Sequence, residues 1–227
     1  MSAPQPTLVL HHLERSRSTR ILWALEELGL TYTMKTHKRH PKTMRAGPEI
    51  KKIHPVGRFP VLTADGVAYA ESGSVLEFLA DLPGGETLRP TDGEGLRQYR
   101  YWMHFAEGSL MGPLLVSLIT SKLSGKDVPF FIRPIAAQIG RTVDKSYTWP
   151  QLGDLLPFVE STLASQPWIA GDSLTMADIQ MSYAVQASLS RVPGAEKYTA
   201  MKAWVDRIEA RPAYKKAIEV GGPALLA

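Results

Sequence analysis

The chain has 227 residues, of which 44% are hydrophobic and 21% are charged, a composition that excludes an intrinsically disordered protein. It contains no cysteine, which excludes disulfides, thiolate metal sites and a cysteine nucleophile. The formal charge of +4 is unevenly distributed, because residues 31–58 carry a net charge of +7 and favour an anionic partner.

The N-terminal third of the sequence predicts a mixed α/β unit. A β-rich run at 7–13 precedes a helix at 18–28, whose apolar residues share one face and which ends before Gly29. A β-rich run at 31–36 follows. A strand, a helix and a second strand in this order are typical of a parallel strand pair with a right-handed crossover.

A short helix and a hairpin follow this unit. The hairpin is indicated by Asp65-Gly66, which separates two β-rich runs and suits a type I′ turn. The predicted elements of this stretch are a helix at 48–53, strands at 61–64 and 67–70, and a helix at 72–82.

The rest of the chain predicts helices alone. The predicted segments are 95–122, 130–147, 151–165, 175–190, 201–210 and 213–220. We therefore expect an α/β domain at 1–82, a linker at 83–92 and an all-helical domain at 93–227.

The start of the fourth helix of this tail has a sharp local signature. Thr175 suits the N-cap and Asp178 the third helical position of a capping box, while Leu174 and Ile179 suit a hydrophobic staple. This feature predicts a structural role.

The sequence shows no targeting or membrane signal. The N-terminus lacks the pattern of a signal peptide, and the longest apolar run, near 111–119, is too short to span a membrane. We therefore expect an intracellular protein.

Two serines flank an arginine at the start of the first predicted helix. The hydroxyls of Ser16 and Ser18 would lie among unpaired N–H groups at the positive end of the helix dipole, where an anion such as a thiolate is stabilised. Arg17 adds positive charge. The same pattern is also typical of a serine that merely caps its helix.

Two further segments suit a small peptide-like ligand. A cis Phe59-Pro60 bond at a strand start would leave the Phe59 backbone free to pair with an extended ligand, although most such prolines are simple strand boundaries. Glu71 and Ser72, at the next helix start, can bind an ammonium group and a carboxylate, or can simply cap the helix.

The basic stretch could form a nucleic-acid surface, and the histidines could form a metal site. Tyr32 is the only aromatic residue of 31–58, which argues against a nucleic-acid surface and leaves a solvated loop as the alternative to an anion site. His11 and His12 point to opposite faces of a predicted strand, and the other histidines lack metal-ligand spacing. We expect no metal site.

Taken together, Ser16-Arg17, residues 48–55, Gly57-Arg58 and residues 70–73 occur in order on this element pattern. From about residue 8 to 220 the chain resembles a cytosolic-type glutathione transferase (glutathione S-transferase), and most closely the Ser-type fungal and bacterial branch. The resemblance implies a thioredoxin-like N-terminal domain and an all-α C-terminal domain. It also implies a cytoplasmic homodimer that acts in detoxification.

The implied activity is attack of the glutathione thiol on hydrophobic electrophiles, with reduction of organic hydroperoxides as a further activity. Since the chain has no cysteine, the reactive sulfur must arrive with glutathione as co-substrate. The alternative is a non-catalytic scaffold of the same fold that binds glutathione, another ligand or a protein.

The resemblance also implies roles for individual residues. Ser16 would donate a hydrogen bond to the glutathione thiolate, with Arg17 or Ser18 as the alternatives. The other implied positions are Phe59 and Pro60 for the cysteinyl unit, Glu71 and Ser72 for the γ-glutamyl end, His40, Lys52, His54 and Arg58 for the glycyl end, and Tyr101, Phe105 and Met111 for an electrophile pocket between the domains.

Overall fold

The computed structural model describes residues 4–40, 43 and 46–225, so Lys42 and Arg45 of the basic stretch lie outside the described residues. Its sheet has the order β2-β1-β3-β4. The strands are β1 (Leu8–Leu13), β2 (Tyr32–His37), β3 (Val61–Ala64) and β4 (Val67–Ala70). Strand β1 is parallel to β2 and antiparallel to β3, and β3 forms the predicted hairpin with β4.

Two helices belong to the sheet-containing part and seven follow it among the described residues. They are α1 (Ser18–Glu27), α2 (Ser72–Asp81), α3 (Gly93–Phe105), α4 (Met111–Lys122), α5 (Arg133–Val143), α6 (Trp149–Ser165), α7 (Met176–Arg191), α8 (Thr199–Ala210) and α9 (Pro212–Gly221). The predicted fold class, a thioredoxin-like α/β domain followed by helices, is confirmed. The predicted helix at 48–53 is a 3₁₀ segment, Pro48–Lys52.

The predicted helix at 95–122 is present as α3 and α4, which a π segment, Ala106–Leu110, joins without a break. One predicted helix boundary in the second half was wrong. A second π segment, Asp144–Thr148, joins α5 to α6, where a break was expected. Apolar periodicity does not register one widened turn, and Pro150 follows this turn directly, in the first turn of α6.

The start of α5 also differs from the prediction. This helix begins at Arg133, three residues after the predicted start at Phe130. Pro134 lies in its first turn and fixes a backbone angle suited to a helix start. The side chains of Phe130 and Phe131 precede the helix and are exposed, so their apolar character is not a sign of a buried helical face.

A continuous hydrophobic core joins the sheet to the helical part. Its largest fully buried side chains include Trp23, Trp102 and Trp204. Helix α1 packs against α2, α7 and α9, so both parts of the chain share its buried surface. The division at residues 82 and 92 stays a prediction.

Helix α9 approaches α1 and β1 closely at Gly221. A Cβ atom added there would lie 2.5 Å from Cδ2 of Leu22 and 3.0 Å from Cε1 of His12. A side chain at this position would therefore force the buried Leu22 side chain or α9 to shift.

The capping box at the start of α7 is confirmed. The Thr175 hydroxyl accepts a hydrogen bond from the N–H of Ala177, and the Asp178 carboxylate accepts bonds from Thr175, Ile169 and Trp204. Asp178 is fully buried, and burial raises its pKa to about 6. The predicted staple residues, Leu174 and Ile179, are both buried as well.

In the part of the chain that the structure describes, no helix is both long enough and apolar enough to cross a bilayer.

Candidate functional site

The register of the sheet brings the three candidate segments to one end. His11 lies opposite Val61 in an antiparallel pair, so the chain leaving β1 emerges where Phe59 leads into β3. Val61 also lies opposite Ala70, so Glu71 leaves β4 at that same end. The turn before α1, the Phe59-Pro60 segment and the start of α2 therefore share one edge of the sheet.

The turn from β1 into α1 is held in an unusual backbone conformation. Arg15 has a φ of 52°, in the left-handed region that residues with a side chain rarely adopt. The Arg39 guanidinium, from the basic stretch, donates a hydrogen bond to the Arg15 carbonyl at 2.9 Å. Such conformations persist where the surroundings hold them, and they cluster at binding and catalytic sites.

Ser16 and Ser18 occupy different environments. Ser18 is buried; its Oγ accepts a hydrogen bond from the Leu13 N–H at 3.1 Å and lies 2.9 Å from Nδ1 of His12. Ser16 is half-buried, with its Oγ 2.7 Å from the Leu13 carbonyl oxygen and 2.9 Å from the Ser18 Oγ. Ser16 is therefore the hydroxyl on the solvent side of the turn.

His12 lies behind the two serines. Its Nε2 is 2.9 Å from the carbonyl oxygen of Gly221, which can only accept, so Nε2 carries the hydrogen. Burial lowers the pKa of His12, which favours the neutral imidazole. Nδ1 is then an acceptor, and the Ser18 hydroxyl has two acceptors within reach, this nitrogen at 2.9 Å and the Leu13 carbonyl oxygen at 3.0 Å.

A carboxylate from the helical part contacts the start of α1. In the π segment Ala106–Leu110, Glu107 accepts hydrogen bonds at Oε1 from Nε of Arg17 (2.8 Å) and from the buried guanidinium of Arg20 (2.6 Å). Burial opposes ionisation of Glu107, but the two guanidiniums hold its pKa below the usual value. Both guanidiniums also lie 5.4 Å from the ring centre of Tyr183.

The start of α2 is connected to the start of α1. Glu71 has a φ of 69° and is exposed, while Ser72 is buried. The Arg20 guanidinium donates to the Ser72 Oγ at 3.2 Å, so the hydroxyl hydrogen of Ser72 is directed elsewhere. Arg20 thus contacts both Glu107 and one of the predicted ligand-binding residues.

The Phe59-Pro60 peptide bond is cis, as the sequence suggested. Pro60 is buried and Phe59 half-buried. The Phe59 ring lies 5.0 Å from the ring of His37, whose Nε2 is 3.1 Å from Nδ1 of His11. The two histidines, on β2 and β1, therefore support the Phe59 side of this segment.

The remaining predicted positions are spread over the surface and the core. Lys52, Arg58 and His40 are exposed, and His54 is half-buried. Tyr101 is 44% exposed, whereas Phe105 and Met111 are 5% and 7% exposed, so of these three only the Tyr101 ring is open to a ligand in this structure. Tyr101 and Phe105 belong to an aromatic cluster with Trp102 and Phe158.

The sequence analysis missed three residues of this region: His12, Arg20 and Glu107. His12 was assigned only to a strand face. Arg20 carried one signal, a charge directly before the apolar run of α1, which marks a buried cation that needs a partner. The position of Glu107 depends on how the helices dock, and no local pattern reveals it.

A large cavity lies away from these segments. Its volume is about 970 Å³, and it opens between α7, α8 and α9 beside Leu189, Val205 and Ile218. It shares no lining residue with the three segments, so cavity size does not identify the site. Among the described residues, no group of three or more His, Asp or Glu side chains is placed to hold a metal ion.

Comparison with known proteins was made for both parts of the chain. Residues 16–82 match the family model of the glutathione S-transferase N-terminal domain, and residues 127–212 match that of the C-terminal domain.

Individual relatives match along nearly the whole chain. Glutathione S-transferase 3 of Schizosaccharomyces pombe is 36% identical, with 93% of this chain and 87% of the relative covered. Glutathione S-transferase 1 of Saccharomyces cerevisiae is 32% identical, with 92% and 93% covered. A crystal structure of a glutathione S-transferase from Actinobacillus pleuropneumoniae is 32% identical with a TM-score of 0.79, and 96% of this chain and 94% of that chain are covered.

Proposed function

This chain belongs to the glutathione S-transferase family and is a glutathione transferase, and we propose that it activates the glutathione thiol at the Ser16 hydroxyl. The observation that carries the proposal is the sheet register, which gathers the turn before α1, the Phe59-Pro60 segment and the start of α2 at one edge. A ligand of tripeptide length can contact all three segments there.

Ser16 suits the thiolate better than its neighbours do. The hydroxyl of Ser18 is buried and has its acceptors, His12 and the Leu13 carbonyl oxygen, within the protein, so it is directed away from a ligand. Arg17 is paired with Glu107 through its Nε atom. Ser16 has its hydroxyl on the solvent side, where it can turn from the Leu13 carbonyl to the sulfur. Its hydrogen bond, the helix dipole and the Arg17 charge together lower the thiol pKa from about 8.5.

The remaining contacts follow from the chemistry of glutathione. The Phe59 backbone pairs with the cysteinyl unit, Glu71 binds the γ-glutamyl ammonium group, and the Ser72 hydroxyl donates to the γ-glutamyl carboxylate. Arg20 directs that hydroxyl by donating to its oxygen. The stretch that leads from β2 to β3 has a net positive charge, which attracts the glycyl carboxylate. The side chains assigned to this carboxylate are His40, Lys52, His54 and Arg58.

The second substrate is a hydrophobic electrophile beside Tyr101, with Phe105 and Met111 behind it. Sulfur forms a bond to carbon and the leaving group departs with the bonding electrons; proximity of the two bound substrates supplies much of the acceleration. An organic hydroperoxide would instead be reduced by two glutathione molecules to an alcohol and water, leaving glutathione disulfide. A cytoplasmic homodimer that acts in detoxification completes the proposal.

The test combines binding with turnover. We expect the wild type to be retained on immobilised glutathione and to conjugate an aryl halide. Ser16→Ala should bind glutathione nearly as well but lose about 10- to 100-fold in kcat/KM, the value of a hydrogen bond to a charged group. Ser161→Ala, on the exposed surface of α6, is the matched control.

Two results would overturn the proposal. Retention of the wild type without turnover would favour the non-catalytic scaffold. An unaffected Ser16→Ala variant beside an inactive Arg17→Ala variant would move the thiol-activating role to Arg17.

A further inference from the structure

We propose that His12 accepts the thiol proton of glutathione through a relay formed by the hydroxyls of Ser18 and Ser16. This inference rests on the proposed function, because it assumes that the sulfur lies beside Ser16. It assigns a role to a buried side chain that the binding of glutathione does not otherwise use.

The relay is continuous in the structure. The Ser16 Oγ lies 2.9 Å from the Ser18 Oγ, which in turn lies 2.9 Å from Nδ1 of His12. Both are ordinary distances for a hydroxyl hydrogen bond. Ser16 is half-buried, Ser18 and His12 are buried, and so the path runs from the surface of the turn to the interior.

The inner end of the relay is ready to accept a proton. The Gly221 carbonyl keeps the hydrogen of the imidazole on Nε2, which leaves the lone pair on Nδ1. The Leu13 N–H donates to the Ser18 Oγ, so the hydroxyl hydrogen of Ser18 is available to point at Nδ1. Both hydroxyls also lie near the Leu13 carbonyl oxygen, at 2.7 Å from the Ser16 Oγ and 3.0 Å from the Ser18 Oγ. In the proposed relay each hydroxyl turns from that acceptor, so that Ser16 donates to Ser18 and Ser18 donates to Nδ1.

The proposed step moves three hydrogens and no electrons between molecules. The S–H bond breaks as its proton passes to the Ser16 oxygen, the original Ser16 proton passes to Ser18, and the original Ser18 proton passes to Nδ1 of His12. Each serine ends with one hydrogen. The products are a thiolate and an imidazolium, and the new Ser16 hydrogen points at the sulfur.

The charges around His12 favour protonation of its ring only after the thiolate has formed. Burial and His37 on β2 lower the pKa of His12, whereas the Gly221 carbonyl on α9 and Glu14 at the end of β1 raise it. The ring is thus neutral before glutathione binds. A thiolate two hydroxyls away adds a negative charge that favours the imidazolium, and the pair titrates as a coupled unit.

The relay predicts that the thiol proton stays on the protein. Near pH 7.5 the thiol of free glutathione is mostly protonated, so binding it as a thiolate without the relay must release most of one proton to the buffer. With the relay, release is well below about half a proton per thiolate formed. The thiolate is counted by its ultraviolet absorbance and the released protons by a pH indicator in weak buffer.

Three variants test this expectation. His12→Gln keeps an amide that can donate to Gly221 but cannot take up a proton, and it should release about one proton per thiolate with the bound thiol pKa raised by about one unit. Ser18→Ala removes the middle hydroxyl and should do the same. His104→Gln, at an exposed position of α3, is the control and should retain the proton as the wild type does.

Each outcome decides a separate point. If His12→Gln and Ser18→Ala retain the proton as the wild type does, or if the wild type itself releases a full proton, the relay is wrong while Ser16 keeps its role. If the wild type binds glutathione without forming a thiolate, the proposed function fails instead. Circular dichroism verifies folding, and if His12→Gln is unfolded the Ser18→Ala result decides.

Discussion

Helices α7 and α1 both begin with hydroxyl residues, but they use them in opposite ways. At α7, Thr175 caps the helix and Asp178 binds back to it, so the polar groups of the helix start satisfy one another. At α1, the Ser16 Oγ accepts a hydrogen bond from the Ser18 N–H, but both serines also bond to each other and to groups outside the helix. Arg17 at the N-cap position forms no side-chain capping bond among the described residues.

The difference separates structural from functional use of the same residue types. A closed capping box stabilises its helix but leaves nothing for a ligand. The starts of α1 and α2 instead follow Arg15 and Glu71, both with positive φ, and each retains groups that a ligand can use. Local backbone strain of this kind is typical of sites where binding takes precedence over stability.

The largest expected effect is on stability, at the start of α7. Asp178→Ala removes the acceptor of the N–H groups of Ile169 and Thr175 and of the Trp204 indole, and leaves these buried donors unsatisfied. We expect the free energy of unfolding to fall by more than about 3 kcal/mol, measured by urea denaturation. A loss below 1 kcal/mol would show that α7 does not depend on this network.

At the start of α2 we expect a large effect on glutathione binding and little loss of stability. Glu71→Gly removes the carboxylate proposed for the ligand ammonium group and relieves the positive φ of 69°. We expect an approximately tenfold loss of glutathione affinity by calorimetry, together with a free energy of unfolding that is unchanged or raised by up to about 1 kcal/mol. Glu77→Gly, in the interior of α2, is the control for a glycine substitution.

A paired substitution compares the two sets of hydroxyls directly. Thr175→Ala should lower the free energy of unfolding by about 1 kcal/mol, as loss of an N-cap typically does, and leave kcat/KM unchanged. Ser16→Ala should change stability by less than about half as much while lowering kcat/KM. Equal stability losses in the two variants would contradict the distinction.

Acidification should raise the contribution of Asp178, at the start of α7, to stability and lower that of His12, beside the start of α1. The folded-state pKa of Asp178, about 6, is above its unfolded value, so its contribution to stability is lost as pH rises through 6 and regained on acidification. Between pH 7 and 5.5 that gain is about 0.8 kcal/mol, and Asp178→Asn should remove it.

His12 gives the contrasting response. Its folded-state pKa is lowered, so its contribution is present above the unfolded pKa of 6.5 and is lost as pH falls through the folded-state pKa. His12→Gln should therefore reduce the acid-induced loss of stability in denaturation curves recorded from pH 7.5 downward. His104→Gln, at an exposed position, is the control, and identical pH profiles for the two histidine variants would contradict the assignment.

The sequence predicted best those features that depend on adjacent residues. The Asp65-Gly66 hairpin and the Thr175 capping box follow from local backbone chemistry, and both are present. The cis Phe59-Pro60 bond is also present, but the sequence alone indicated it only weakly and the family resemblance implied it. The parallel pairing of β1 with β2 was also predicted, since a strand–helix–strand unit requires a crossover of this kind.

Features that depend on helix docking were not predicted. Glu107 reaches Arg17 across 90 positions of sequence, and Gly221 reaches His12 across 209. The π segment Ala106–Leu110 adds to the difficulty, because one widened turn changes which side chains of the helix face the sheet. The side chains that surround the turn before α1 can therefore be identified only from the fold of the sheet-containing and helical parts together.

The contact at Gly221 makes the far end of the chain part of the turn before α1. A Cβ there would meet side-chain atoms of Leu22 and His12 at 2.5 and 3.0 Å, so even Gly221→Ala would force these side chains or α9 to shift. Trimming the chain before this residue, or fusing a bulky partner directly to it, would disturb the same imidazole. Affinity tags on this protein are therefore better placed at the N-terminus than next to α9.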